Sequence, residues 1–159
     1  GLMDKPEEFT TLASFYLYKK NPAMSAKVLE KAITNEDIDF DNTNAKLLAD
    51  SWLFAKERLN SLNVIGRSLN NDPEDAKLIK QYINIAFSAF EWDEVIKGVN
   101  KANEAGLKDD GKFALMKGIA YFEKNSIVNA KNSFIQASNS EEYKDQGIAW
   151  LEYLEALNG

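Results

Sequence analysis

One spacing of small and large residues recurs four times along this chain, and it limits the fold more than any other feature. In GIAYFEKNSIVNAKNSF, residues 118–134, Gly118 is followed by Tyr121, then by Ala130 and Phe134, with Ala137 one turn further on. A second copy runs Phe9, Leu12, Ala13, Tyr16, Ser25, Leu29 and Ala32, and a third runs Leu48, Ala49, Trp52, Ser61, Ile65 and Ser68 to Pro73. A looser copy holds Ile79, Tyr82, Ile83, Ala86, Val95, Val99 and Ala102. With Ala13, Ala49, Ile83 and Gly118 aligned, the steps are 36, 34 and 35 residues, so one unit of fixed length is being stacked.

Within each unit the apolar residues recur at three-and-four spacing in two blocks, the pattern of two amphipathic helices joined by a short turn. Breakers fall between the blocks. Asn21-Pro22 opens the second helix of the first unit, Asp72-Pro73 leads into the third unit, and Gly106 with Asp109-Asp110-Gly111 separates the third from the fourth. The final stretch EEYKDQGIAWLEYLEAL predicts one more helix, with Tyr143, Ile148, Leu151, Tyr153 and Leu154 available for packing. Where two helices cross closely, a large side chain on one needs a small one opposite. Gly118 is expected to meet Ala130 at such a crossing, with Tyr121 and Phe134 filling the flanks.

These residues resemble the tetratricopeptide repeat family, whose hairpins carry a large residue, Leu and a small residue, an aromatic, then Ala, an aromatic or aliphatic, Ala and often a closing Pro. The resemblance covers roughly residues 6–140. It implies an all-α, right-handed α-solenoid of four hairpins over about 6–39, 42–75, 76–109 and 111–140, closed by a capping helix over about 141–157. The expectation is one domain over 1–159, a fragment of a longer protein because the chain opens on Gly1. The third unit departs from the pattern by placing Ile83 at the small position and Ala86 at the aromatic one, and Lys117 stands where the fourth should have Leu.

A repeat of this family implies a groove lined by the first helix of every unit, offered to a peptide or partner protein. By register the groove residues are Thr10, Ser14 and Leu17; Lys46, Asp50 and Leu53; Lys80, Asn84 and Phe87; and Leu115, Ile119 and Phe122, with Tyr18, Phe54 and Met116 beside them. Lys80 and Asn84, four apart, resemble the Lys and Asn with which some members hold a C-terminal carboxylate, although Met116 stands where a further donor is needed and Asp50 accompanies Lys46. The competing reading is a solvated lysine beside an ordinary surface asparagine. Leu17, Leu53, Phe87 and Phe122 form a strip that either seats an amphipathic partner or packs between first helices, with the last helix covering the fourth unit.

Other chemistry finds little footing. The chain has no cysteine and no histidine, which removes disulfides, thiolate nucleophiles, histidine bases and the zinc sites built on them. No phosphate loop, dinucleotide turn or nucleophile elbow occurs, so no cofactor and no enzymatic activity are expected. Glu7-Glu8 and Glu141-Glu142 fit solvated helix starts, where the helix dipole favours acid. A net charge of -6 repels phosphate backbones, so nucleic acid is not an expected partner, and no apolar run is long enough for membrane insertion. Asp37, Asp39 and Asp41 copy the start of a calcium loop, but Asn42 replaces its glycine and Leu48 its glutamate. The alternative reading is a longer link with Asp41 or Asn42 capping the next helix.

Three stretches narrow the resemblance: YLYKKNPAMSAKVLEKAI, GLKDDGKFALMKGIAYFE and WLEYL. They are similar to the C-terminal half of periplasmic tetratricopeptide proteins encoded beside TonB, ExbB and ExbD. That implies a periplasmic accessory to a TonB-type transport complex, the cytoplasm being the alternative location. The second class of role is structural: Phe15 and Leu17 near the start would let the first hairpin stack on further repeats or on a second copy, giving a homo-oligomer.

Overall fold

A computed structural model describes residues 5–108 and 111–158, and among them every regular element is a helix. They divide into two compact units, one ending at Pro73 and one starting at Glu74. The first unit holds α1 (Pro6–Tyr18), α2 (Pro22–Thr34), α3 (Asn42–Phe54) and α4 (Arg58–Asn71). The second holds α5 (Ala76–Ser88), α6 (Trp92–Glu104), α7 (Lys112–Glu123), α8 (Ile127–Ser138) and α9 (Lys144–Asn158). In each unit the packing follows chain order: α1 on α2, α2 on α3 and α3 on α4; then α5 on α6, α6 on α7, α7 on α8 and α8 on α9. This is the all-α helical-repeat arrangement that the spacing predicts.

The starts of the helices follow from local chemistry. Asn21 accepts the Met24 N–H at 3.3 Å with Pro22 behind it, and Asp41 accepts the Asn44 N–H at 2.8 Å. Asp75, not Asp72, caps α5, taking the N–H groups of Lys77 and Leu78, so Pro73 lies in the turn that precedes the helix. The last helix starts at Lys144, later than the expected 141, because the Ser140 hydroxyl draws the Tyr143 N–H into a turn at 3.0 Å. Glu141 and Glu142 therefore precede the helix instead of opening it. Gly106 and Gly111 both take positive φ in the separator between α6 and α7, while its Asp109 and Asp110 lie outside the described residues.

Each hairpin turns through one device. The residue after each first-helix C-cap is left-handed, with φ of 58° at Lys20, 64° at Lys56, 61° at Phe90 and 56° at Asn125. The next N–H reaches back to the helix, as Asn21 does to the Tyr16 carbonyl and Glu57 to that of Trp52, which closes a Schellman turn. Only Asn125 belongs to a residue type that favours this conformation, so Lys20, Lys56 and Phe90 are held there by the hairpin against a local cost.

Gly118 does sit at a close crossing, and the side chain nearest to it is Phe134: a methyl group on Gly118 would lie 2.5 Å from that ring. Ala130 is buried in the same cluster with Phe134 and Leu154. In the third repeat the fit is kept and reversed. Ile83, large where its counterparts are small, lies against Gly98 on α6, where a methyl group would come within 2.7 Å of the isoleucine. The departure in sequence is thus compensated across the crossing. In the first unit, small hydroxyls do related work: Ser61 donates to the Ala49 carbonyl at 2.9 Å between α3 and α4, and Ser25 and Ser51 bond at 2.9 Å between α2 and α3.

The last helix docks through Gly147, whose α-carbon approaches the backbone of Ser138 so closely that a methyl group would lie 2.5 Å from its nitrogen. Trp150 then stacks on Phe134 with centroids 5.0 Å apart and planes 8° from parallel, and Leu154 is buried beside them. Of the residues expected to pack, Leu151 and Leu154 do, Tyr153 sets its ring edge-on to Phe122 and Trp150 while staying 48% exposed, and Ile148 stays 38% exposed.

Replacing Gly118 or Ala13 by Leu should lower the unfolding free energy by about 1–3 kcal/mol in urea denaturation. Gly98→Ala should also destabilise, and Ile83→Val in the same chain should recover part of the loss if the two residues share one volume. Lys56→Gly should raise stability by about 0.5–1 kcal/mol through relief of the left-handed backbone.

Candidate functional site

The groove residues assigned to the first unit are brought to its surface in two kinds. The polar ones are largely satisfied within their own helices: the Thr10 hydroxyl donates to the Glu7 carbonyl at 3.1 Å, the Ser14 hydroxyl donates to the Thr10 carbonyl at 2.8 Å, and Lys46 pairs with Asp50 four residues on. The aromatic ones are not. Tyr18 is 80% exposed and Phe54 68% exposed, and they stand at the same register position, the last residue of α1 and of α3. Leu17 and Leu53, one residue before, are half-buried.

Thr10 also lines a cleft with Pro6, Glu7, Asn44 and the acidic link Glu36, Asp37, Asp39 and Asp41. The geometry of that link is set by turn and cap formation. Asp41 caps α3, the Asn44 amide donates to the Asp39 carbonyl at 2.9 Å, Ile38 is buried, and the Arg67 guanidinium lies 4.0 Å from the centre of the Phe40 ring. Among the described residues, no three His, Cys, Asp or Glu side chains converge as a metal site.

In the second unit, Lys80 and Asn84 are both exposed on α5, and the partner of Asn84 is another lysine: Lys112 of α7 donates to its amide oxygen at 3.2 Å. Lys112 sits one turn before Met116, the position where a further donor is needed, and no local pattern singles it out. Met116 itself is buried, 6% exposed, and is removed from any contact surface because its side chain fills the core. Phe87 packs edge-on to Trp92 at 5.7 Å, and Phe90 does so at 5.6 Å while remaining 71% exposed. Ile119 joins the cluster around Phe134, and Phe122 meets Trp150 at 5.3 Å and Tyr153 at 5.8 Å. In this unit, therefore, α9 supplies the cover for the fourth position of the apolar strip. Trp92 and Trp150, both missed as organisers, could have been found by their place at the first residue of a helix and three after a glycine.

Two titratable groups are displaced. Burial pushes the Tyr82 hydroxyl well above the ordinary tyrosine range, reinforced by its hydrogen bond to the Glu94 carboxylate and by that negative charge. Burial lowers Lys117, whose ammonium donates to Asn100 at 2.6 Å and lies 5.8 Å from the Tyr121 ring. Tyr82 joins α5 to α6, with Lys97 also on Glu94 at 3.3 Å, and this makes it a brace within one hairpin. Because its folded-state pKa is raised, the stabilisation is complete below tyrosine's ordinary value of about 10 and is lost as pH rises through the folded value. Tyr82→Phe should cost about 1–3 kcal/mol at neutral pH. Urea denaturation from pH 9 upward should then show a shallower alkaline decline for the variant than for the parent chain.

No helix among the described residues is long and apolar enough to cross a membrane. No protein-family model and no curated protein sequence matches the chain. Solved structures do. A crystal structure of MamA, a tetratricopeptide-type helical repeat protein, is 18% identical with a TM-score of 0.60, over 90% of this chain and 82% of that one. A second MamA structure is also 18% identical, with a TM-score of 0.61 over 90% and 76%. The MamA RS-1 ArsTM double mutant is 11% identical, with a TM-score of 0.66 over 99% and 87%. At such identities the likeness is one of fold, and the chain has a tetratricopeptide-repeat-like fold.

Proposed function

We propose that this chain is a non-enzymatic protein-interaction scaffold that takes a peptide or partner protein on its first helices. The observation that carries the reading is the pair Tyr18 and Phe54, two large aromatic side chains left 80% and 68% exposed at one register position of successive repeats. Aromatic side chains bury much area for little lost side-chain freedom, and they dominate protein contacts for that reason. Thr10, Ser14, Lys46 and Asp50 surround them in the first unit, and Lys80, Asn84, Phe87 and Ile119 are the corresponding residues of the second. The cationic end Lys80, Asn84 and Lys112 suits an acidic group on the partner.

The finer reading, a periplasmic accessory of a TonB-type complex, rests on the three sequence stretches alone. Site-specific photo-crosslinking from Tyr18 in intact cells tests it directly: adducts with TonB, ExbB or ExbD support it, and adducts confined to cytoplasmic proteins overturn it. For the scaffold itself, a Tyr18→Ala, Phe54→Ala variant should retain its helical content but lose at least about 10-fold in partner captured from cell extract, as removal of hot-spot aromatics does. Equal capture by variant and parent would sink the assignment of this surface. A second reading, self-assembly, is favoured by Phe15, which is 51% exposed on α1.

A further inference from the structure

The face of α1 that carries Phe15 differs from its counterparts in the later repeats. One register position is occupied by Phe15, Ser51, Ile85 and Ala120, with exposures of 51%, 0%, 4% and 0%. In α3 this position turns toward the preceding helix, since Ser51 bonds Ser25 of α2. On α1 the same face forms a shallow, mostly apolar cleft lined by Lys5, Glu7, Glu8, Thr11, Leu12 and Phe15. Lys19 closes its far end, its ammonium 5.5 Å from the centre of the Phe15 ring.

The order of residues along this face identifies what covers it. Glu8, Leu12, Phe15 and Lys19 fall within a stripe about 60° wide at 100° per residue. Their positions are symmetric about a point between Ala13 and Ser14: Glu8 and Lys19 are equidistant from it, and so are Leu12 and Phe15. An identical helix laid antiparallel about a two-fold axis through that point sets Leu12 against Phe15 of the other copy and Glu8 against its Lys19, each pair made twice. A parallel arrangement would set like charges together at both ends. We infer that this face of α1 is a self-association surface, covered by α1 of a second copy in an antiparallel, two-fold pair. This deepens the self-assembly reading and rests on it. It leaves partner binding through Phe54 free to occur in each copy.

Two exposed ion pairs and one short apolar seam make a small interface, weak and sensitive to salt. Sedimentation equilibrium at low ionic strength, with loading up to about 500 µM, should show a concentration-dependent dimer. Phe15→Glu, Glu8→Lys and Lys19→Glu should each weaken it by about 10-fold or more, with helical content unchanged by circular dichroism. Mixing the Glu8→Lys and Lys19→Glu proteins should restore association, since each copy then meets its opposite charge at both ends. Loss of a helix cap at Glu8 would not be repaired by mixing, so this arm separates contact from fold. A parent chain that stays monomeric over the whole range overturns both the pairing and the self-assembly reading. Association that ignores all three substitutions overturns the α1 pairing but keeps self-assembly through another face, and failure of the mixture to associate overturns the charge register.

Discussion

A tight fit of one large side chain into the space left by a missing one, at each point where two helices of a hairpin cross, is the constraint on which the second unit depends. Phe134 has room only because residue 118 has no side chain, and Ile83 only because residue 98 has none. Such contacts lose most of their attraction over an ångström, so they set helix separation more sharply than general apolarity does. Once Phe134 is fixed, its far face is a flat platform for Trp150, and α9 is drawn onto α8. The end of the chain thus inherits its position from a glycine about thirty residues earlier.

Much of this was legible in the residues because the periodicity of small and large side chains is itself the packing rule. The 36, 34 and 35 residue steps place every hairpin, and the same steps separate the left-handed residues Lys20, Lys56, Phe90 and Asn125. The left-handed conformation was not legible at three of these, since Lys and Phe carry no preference for it and the turn is imposed by helices on both sides. Gly118 was recognised as a small position, but spacing along α8 does not say that Phe134 is the side chain lying nearest to it. Asp75 was hidden behind the louder signal of Asp72-Pro73.

The candidate site was less legible than the fold. Register alone put Met116 beside Tyr18 and Phe54, yet one is core and the others are open, because burial depends on what lies over a helix and not on its own sequence. The partner of Asn84 comes from Lys112, two helices later, a relation no local pattern encodes. Polar residues chosen for reach, Thr10 and Ser14, spend their hydroxyls on carbonyls of their own turn. Tyr18 and Phe54 stay exposed in the first unit, and Lys112 bonds Asn84 in the second.

The reversed fit of the third repeat has a consequence for how such an array can change. In α5/α6 the bulk sits on the first helix and the void on the second; in α7/α8 the order is opposite. Exchanging α6 for α8 would drive Phe134 into Ile83, and the reciprocal exchange would set the smaller Val99 opposite Gly118 where Phe134 now fills the space. A helix of one hairpin is therefore not interchangeable with its counterpart in the next. The heritable module of this architecture is the keyed pair, each lock cut for its own key.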